Sequence, residues 1–287
     1  MTNIKNLSNP IFDLNKIAIT KRQHSTNSDN QSKPPFLFVH GNSQNDTCGL
    51  DMLAYFYQKG HDVFAYDLPG HGDSPMQTED YHFDDLVTLN YQLIKANQLH
   101  KPILCGHSLG GMIQASTLIN YQLDASSLIF CGSYDASPVQ AALSQSQEQE
   151  AELILRSLEQ YIDEAFKLYK GAKKYNYFEN LTQADELVAI FNRRYTHPVA
   201  NQINLTTLKN YNVRSQLAAN GIPILVLHGE QEDIIPASLV RAMQQAYQNM
   251  IVEWYPQGGH FAFYQEPELT RQYLDCNYQF LLGEDSL

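Results

Sequence analysis

Cys105-Gly106-His107-Ser108-Leu109-Gly110-Gly111, which follows the apolar run Pro102-Ile103-Leu104, decides the reading of this chain. It sets a serine between two glycines at the exit of a short buried strand. A sharp strand-to-helix turn needs small residues two before and two after its apex, because larger side chains there would collide with the strand and the helix. The apex hydroxyl is then pushed into the open, where it can act as a nucleophile. In a chain with 15 glycines the spacing alone proves little, so the weight falls on what surrounds it.

The surroundings alternate between strand and helix. A short strand is predicted at about Lys16–Thr20, followed by a polar Ser-, Asn- and Gln-rich loop from Lys21 to Pro35. Pro35–Val39 and Asp62–Tyr66 are continuous apolar runs that stop at His40-Gly41 and at Asp67-Leu68-Pro69-Gly70, as fully buried strands do. Gly49–Gly60 carries a helical pattern between them. Tyr81–Gln98 places Phe83, Leu86, Leu89 or Asn90, Leu93 and Ile94 at helical spacing. A helix from Ser108 to about Tyr121, strand Ser127–Cys131, strand Pro223–Leu227, helix Pro236–Tyr247, strand Ile251–Trp254 and helix Pro267–Phe280 complete the pattern. The fold class is α/β, with a mostly parallel, doubly wound sheet covered on both faces.

Residues 134–219 break the rhythm. They are rich in Gln, Glu, Lys and Tyr at helical spacing and hold no convincing buried strand, so they read as an inserted helical lid. Tyr161, Ile162, Ala165, Phe166 and Tyr169 line one face of a helix there, and the Ser144–Glu150 stretch reads as exposed helix or loop. Residues 1–133 and 220–287 form the core.

The chain of 287 residues is 43% hydrophobic and can bury a large core. A net charge of −12 argues against nucleic acid and against an anionic membrane surface as partners. Cys48, Cys105, Cys131 and Cys276 are far apart with no C-x-x-C pair, as expected of reduced thiols used as small apolar residues. Met1–Lys16 lacks a signal-peptide core, and no run reaches the roughly 18 apolar residues of a membrane helix. A cytoplasmic protein without membrane insertion is expected.

At the strand exits stand His40-Gly41-Asn42, Asp67 to Gly72, Ser108, the loop Gly229 to Pro236 and Gly258-Gly259-His260. Parallel α/β sheets bind ligands along that edge. In these motifs and their order, from about Phe36 to Tyr134 and from Pro223 to Phe280, the chain resembles the α/β-hydrolase superfamily. The resemblance implies a triad with Ser108 as nucleophile, His260 as base and Asp233 as acid. It implies an oxyanion hole made by the backbone N–H groups of Asn42 and Leu109. Glu230 and Glu232 share the acid loop with Asp233, and Asp135 occupies a place some family members use for the acid. The Asn42 side chain could bind a leaving group, as in family dehalogenases with His-Gly-Asn, but those need an aspartate where Ser108 stands.

The expected activity is serine-dependent cleavage of a small-molecule carboxylic ester through an acyl-enzyme. Thioesters, lactones, acyl transfer and carbon–carbon bond hydrolysis are alternatives on the same triad, and a ligand-binding receptor with little turnover is an alternative of another class. No cofactor and no metal is implied, because the ten histidines show no ligand spacing. His40, His71 and His107 read as loop or packing residues. Tyr169, Tyr175, Tyr177, Phe178, Phe191, Tyr195 and Tyr211 are candidates for an acyl pocket or for helix packing, and Arg193-Arg194 for a solvated face.

Overall fold

The computed structural model describes residues 11–24, 33–144, 196–206, 211–232 and 234–284, with residues 149, 152 and 208. Seven strands build one sheet: β1 (Ile19–Arg22), β2 (Phe36–Val39), β3 (Val63–Tyr66), β4 (Ile103–His107), β5 (Ser127–Cys131), β6 (Ile224–Gly229) and β7 (Met250–Tyr255). Their spatial order is β1-β3-β2-β4-β5-β6-β7, and every neighbouring pair is parallel except β1 with β3. β2, β3, β4, β5 and β6 are buried along their whole length, as continuous apolar runs require when helices cover both faces. Each Leu, Ile or Phe buried there contributes about 1.5–3 kcal/mol relative to exposure.

Helix α1 (Leu50–Gln58) packs on one face, α2 (Phe83–Ala96) and α3 (Leu109–Asn120) on the other. α3 is buried almost all round from Leu109 to Leu118, because it lies between the sheet and α2. Its polar residues are absorbed internally. Asn90 accepts from the Tyr66 hydroxyl (3.0 Å) and donates to Gln114 (3.0 Å) and Thr117 (2.9 Å). That network explains a buried asparagine in the apolar stripe of α2.

Among the boundaries that differ from the sequence expectation, three have a clear physical reason or consequence. β1 lies at Ile19–Arg22, later than Lys16–Thr20, and its four exposed side chains show that antiparallel pairing of the backbone with β3 sets it rather than burial. β4 runs on through Gly106 to His107. The last helix divides at Asn277 into Pro267–Cys276 and Tyr278–Leu282. Asn277 Nδ2 there donates to the Tyr273 carbonyl (2.7 Å) and to Glu253 (2.8 Å).

Of the expected 134–219 insertion, the described residues show helices Pro138–Ser144, Pro198–Thr206 and Arg214–Asn220, and two isolated bridges, His71 with Thr196 and Ala136 with Asn212. The expected Tyr161–Tyr169 helix lies outside the described residues. Where the chain leaves and rejoins the core, the Arg214 guanidinium donates two hydrogen bonds of 2.8 Å to the fully buried Asp135 carboxylate. Tyr247 donates a third (2.7 Å), and the Val213 N–H meets the Asp135 carbonyl (2.9 Å). Replacing Arg214 by Met strands that carboxylate, so urea denaturation is expected to show a loss of about 3 kcal/mol. Adding Asp135→Asn is expected to recover part of it; an unchanged midpoint for Arg214→Met would contradict the clamp.

Candidate active site

Ser108 sits between β4 and α3 with φ 48° and ψ −120°, a conformation side-chain-bearing residues rarely adopt. Its N–H donates to the Cys131 carbonyl (3.0 Å), and its own carbonyl accepts from Gly111 N–H (3.0 Å) and the Ser133 hydroxyl (2.7 Å). The turn closes because its flanks carry no side chain. A Cβ on Gly106 would stand 2.3 Å from the backbone of Gly110 and Gly111, and one on Gly110 would stand 2.0 Å from the Val39 carbonyl oxygen.

His260 comes from the loop after β7. A Cβ on Gly229 would lie 2.1 Å from the Gly258 carbonyl oxygen, so the exits of β6 and β7 touch backbone to backbone. That approach brings the loop after β6 against His260. His260 Nδ1 lies 2.8 and 2.9 Å from the two carboxylate oxygens of Glu232, and both side chains are buried. Glu232 Oε1 also accepts from the backbone N–H of Ile234 (3.1 Å) and Ile235 (3.3 Å). Burial alone would push the Glu232 carboxyl up. The His260 charge and hydrogen bond, His228 and the Ile234 N–H outweigh it and hold the group below its ordinary range.

Among the described residues the carboxylate that meets His260 is Glu232; the expected Asp233 lies outside the described residues. The other candidates are engaged elsewhere. Glu230 forms a two-pronged ion pair with Arg241 (2.7 and 2.8 Å), and Asp135 is held by Arg214. Three acids in one loop of four residues gave no sequence signal for which one turns inward. The two N–H groups of Ile234 and Ile235 supply that turn.

His107 ties the loops together. Its Nε2 lies 2.8 Å from the His260 carbonyl oxygen, its Nδ1 lies 2.8 Å from Gln44 Oε1, and its ring packs on His260, Phe261 and Phe263. Burial, with the His260 charge, pushes its pKa well below 6.5, so the neutral ring's single N–H serves one of these two acceptors. Gln44 in turn accepts from the Gly41 N–H (3.2 Å). These contacts draw together the loop after β2, the serine turn and the His260 loop. The sequence expectation of a packing role for His107 understates this, and Gln44 carried no signal.

The loop after β2 passes within van der Waals reach of the serine: a Cβ on Gly41 would stand 3.0 Å from Ser108 Cβ. Asn42 is buried beside it, and Leu109 opens α3, where unpaired N–H groups point outward. His40 Nδ1–H donates to the Gly41 carbonyl (2.6 Å) and its Nε2 accepts from Leu68 N–H (2.9 Å); burial lowers its pKa to about 4. Among the described residues no group of three or more His, Cys, Asp or Glu side chains could hold a metal ion, and no helix is long and apolar enough to cross a membrane. Tyr211 is a packing residue, buried edge-on against Phe83 and donating to the Tyr134 carbonyl (3.2 Å). The other aromatic pocket candidates and Arg193-Arg194 lie outside the described residues.

Residues 34–267 match the family described as the alpha/beta hydrolase fold. The chain belongs to this family. The α/β-hydrolase superfamily protein YisY of Bacillus subtilis is 25% identical over 250 residues, covering 82% of this chain and 87% of that protein. A structure from work on carboxylesterases of Nitrososphaera gargenis superimposes with a TM-score of 0.72 at 17% identity, covering 94% of this chain and 96% of the other. An esterase from Exiguobacterium antarcticum gives 0.69 at 18%, over 91% and 94%. Other relatives carry the names of esterases, haloperoxidases and an iminopeptidase.

The Glu232 pair has a pH signature. Its folded pKa lies below the ordinary 4.5, so it contributes stability above that value, and the contribution is lost as pH falls through the folded pKa. In urea titrations the advantage of the parent over Glu232→Gln is expected to be widest near neutrality and to shrink below pH 4.5. A gap that does not vary with pH would contradict an ionised Glu232.

Proposed function

We propose that this α/β-hydrolase is a serine esterase that cleaves small or medium carboxylic esters through an acyl-enzyme, with Ser108 as nucleophile, His260 as base and Glu232 as acid. The buried His260–Glu232 pair beside the strained Ser108 turn carries the proposal. Binding Nδ1–H to Glu232 leaves Nε2 as the basic nitrogen, so His260 can take the Ser108 proton during attack on the ester carbonyl. Glu232 stabilises the imidazolium that forms. The backbone N–H groups of Asn42 and Leu109 receive the oxyanion, each donor of this kind being worth about 100- to 1,000-fold in rate. The imidazolium then protonates the departing alkoxide, and water, activated by the same nitrogen, releases the acid.

The esterase and carboxylesterase names among the relatives favour an ester over other acyl bonds. The Asn42 amide is occupied at both ends by the Pro198–Thr206 helix, which disfavours a leaving-group role for it. The residues between 134 and 219 read as a helical cap that shapes the acyl site, and the buried thiols Cys48, Cys105 and Cys131 fit a reducing, cytoplasmic setting.

A fluorophosphonate probe is expected to label the parent and to miss Ser108→Ala. On p-nitrophenyl esters Glu232→Ala is expected to lower kcat by about 1,000- to 10,000-fold, while Asp233→Ala stays within a few-fold of the parent. A panel of p-nitrophenyl esters of rising acyl length, a thioester and a lactone ranks the bond classes. Equal labelling of Ser108→Ala, or a flat background panel, would overturn the esterase reading.

A further inference from the structure

The turn that carries Asn42 is fastened to the Pro198–Thr206 helix by its side chains. Asn42 Nδ2 donates to the Asn201 carbonyl (3.1 Å), and Asn42 Oδ1 accepts from Asn204 Nδ2 (3.1 Å). Asn204, fully buried, has its own Oδ1 held by the Tyr81 hydroxyl (2.8 Å). Next along the turn, Ser43 takes a left-handed φ of 59° and donates its hydroxyl to Asn201 Oδ1. Asparagine is a poor helix former, and three buried amides can share one place only if each is satisfied. Here Tyr81, Asn204, Asn42 and Asn201 form a continuous chain of donors and acceptors linking the loop after β2 to a helix some 160 residues later.

We propose that Asn204 is a positioning residue for acyl transfer, setting the Asn42 N–H at the oxyanion through the Asn42 side chain. The inference rests on the esterase reading above. An oxyanion donor acts only at hydrogen-bond distance from where the oxygen will be in the transition state, so a small rotation of this turn forfeits its contribution. The Pro198–Thr206 helix is in this way a structural part of the oxyanion hole. Whatever moves the helix moves the donor.

Asn204→Asp tests this, because it keeps the acceptor for Tyr81 and turns the donor to Asn42 into an oxygen that repels it. Asn204→Leu removes both bonds, and Tyr81→Phe, which removes only the hydroxyl anchoring Asn204, is the milder third variant. Activity on a p-nitrophenyl ester is normalised to Ser108 titrated by the fluorophosphonate, so that unfolded protein does not count. Expected for Asn204→Asp and Asn204→Leu are a kcat lower by about 10- to 100-fold, a KM within about threefold, and a trifluoromethyl ketone affinity lower by the same factor as kcat/KM. Tyr81→Phe is expected to show the same pattern at a few-fold. Loss of titratable sites with unchanged kcat per site would make Asn204 merely structural and overturn the proposal, as would a KM effect without a ketone effect. Should the Asn204 variants fail to fold, an unchanged kcat and ketone affinity in Tyr81→Phe overturns it. A parent that neither labels at Ser108 nor turns over refutes the esterase reading as well; a labelled, active parent with unmoved variants refutes this inference alone.

Discussion

Ser108 is held in a backbone conformation that costs of order 1–3 kcal/mol, and much of the sheet's carboxyl edge is arranged around keeping it there. β4 and β5 clamp it through the Cys131 carbonyl, and α3 and Ser133 clamp its own carbonyl. The near-contact of Gly106 with Gly110 and Gly111 leaves the turn no room to relax. In the proposed acyl transfer, a hydroxyl presented this way would start the reaction already ordered, so little entropy would be lost on reaching the transition state. The strain sits at the serine turn, and the buried strands around it supply the stability.

The other loops are placed relative to that serine by polar side chains with two partners each. His107 joins the serine turn to His260 and to Gln44, Gln44 joins it to Gly41, and Asn204 joins the same loop to the Pro198–Thr206 helix. Buried groups of this kind rigidify a site only when each is satisfied, because an orphan in a low-dielectric interior costs more than the bond returns. Asn204 meets that condition through its bonds to Tyr81 and Asn42, which cross from one element to another.

Fold class was legible because continuous apolar runs ending at Gly or Asp have few structural explanations, and Ser127–Cys131 is observed within its expected bounds. β1 was placed early because its side chains are exposed and its strand character lives in backbone pairing, which leaves no hydrophobic pattern. The turns at Ser108 and before His260 were legible from glycines that permit close backbone approach. Which carboxylate faces His260 is less legible: Glu230 and Glu232 have similar chemistry, and between them the choice is made by the turn at Ile234 and Ile235 and by Arg241 drawing Glu230 outward. Gln44, Asn201 and Asn204 were silent because their partners lie far away in sequence.

The pairing of His260 with Glu232 decides which nitrogen is basic, and on it the reading of Ser108 as a nucleophile depends. Its most direct test is the far-downfield proton resonance of a histidine Nδ1–H bonded to a buried carboxylate. The account predicts that this resonance is present in the parent and in Asp233→Asn and absent from His260→Gln and Glu232→Ala. A resonance that survives Glu232→Ala and vanishes in Asp233→Asn would contradict it.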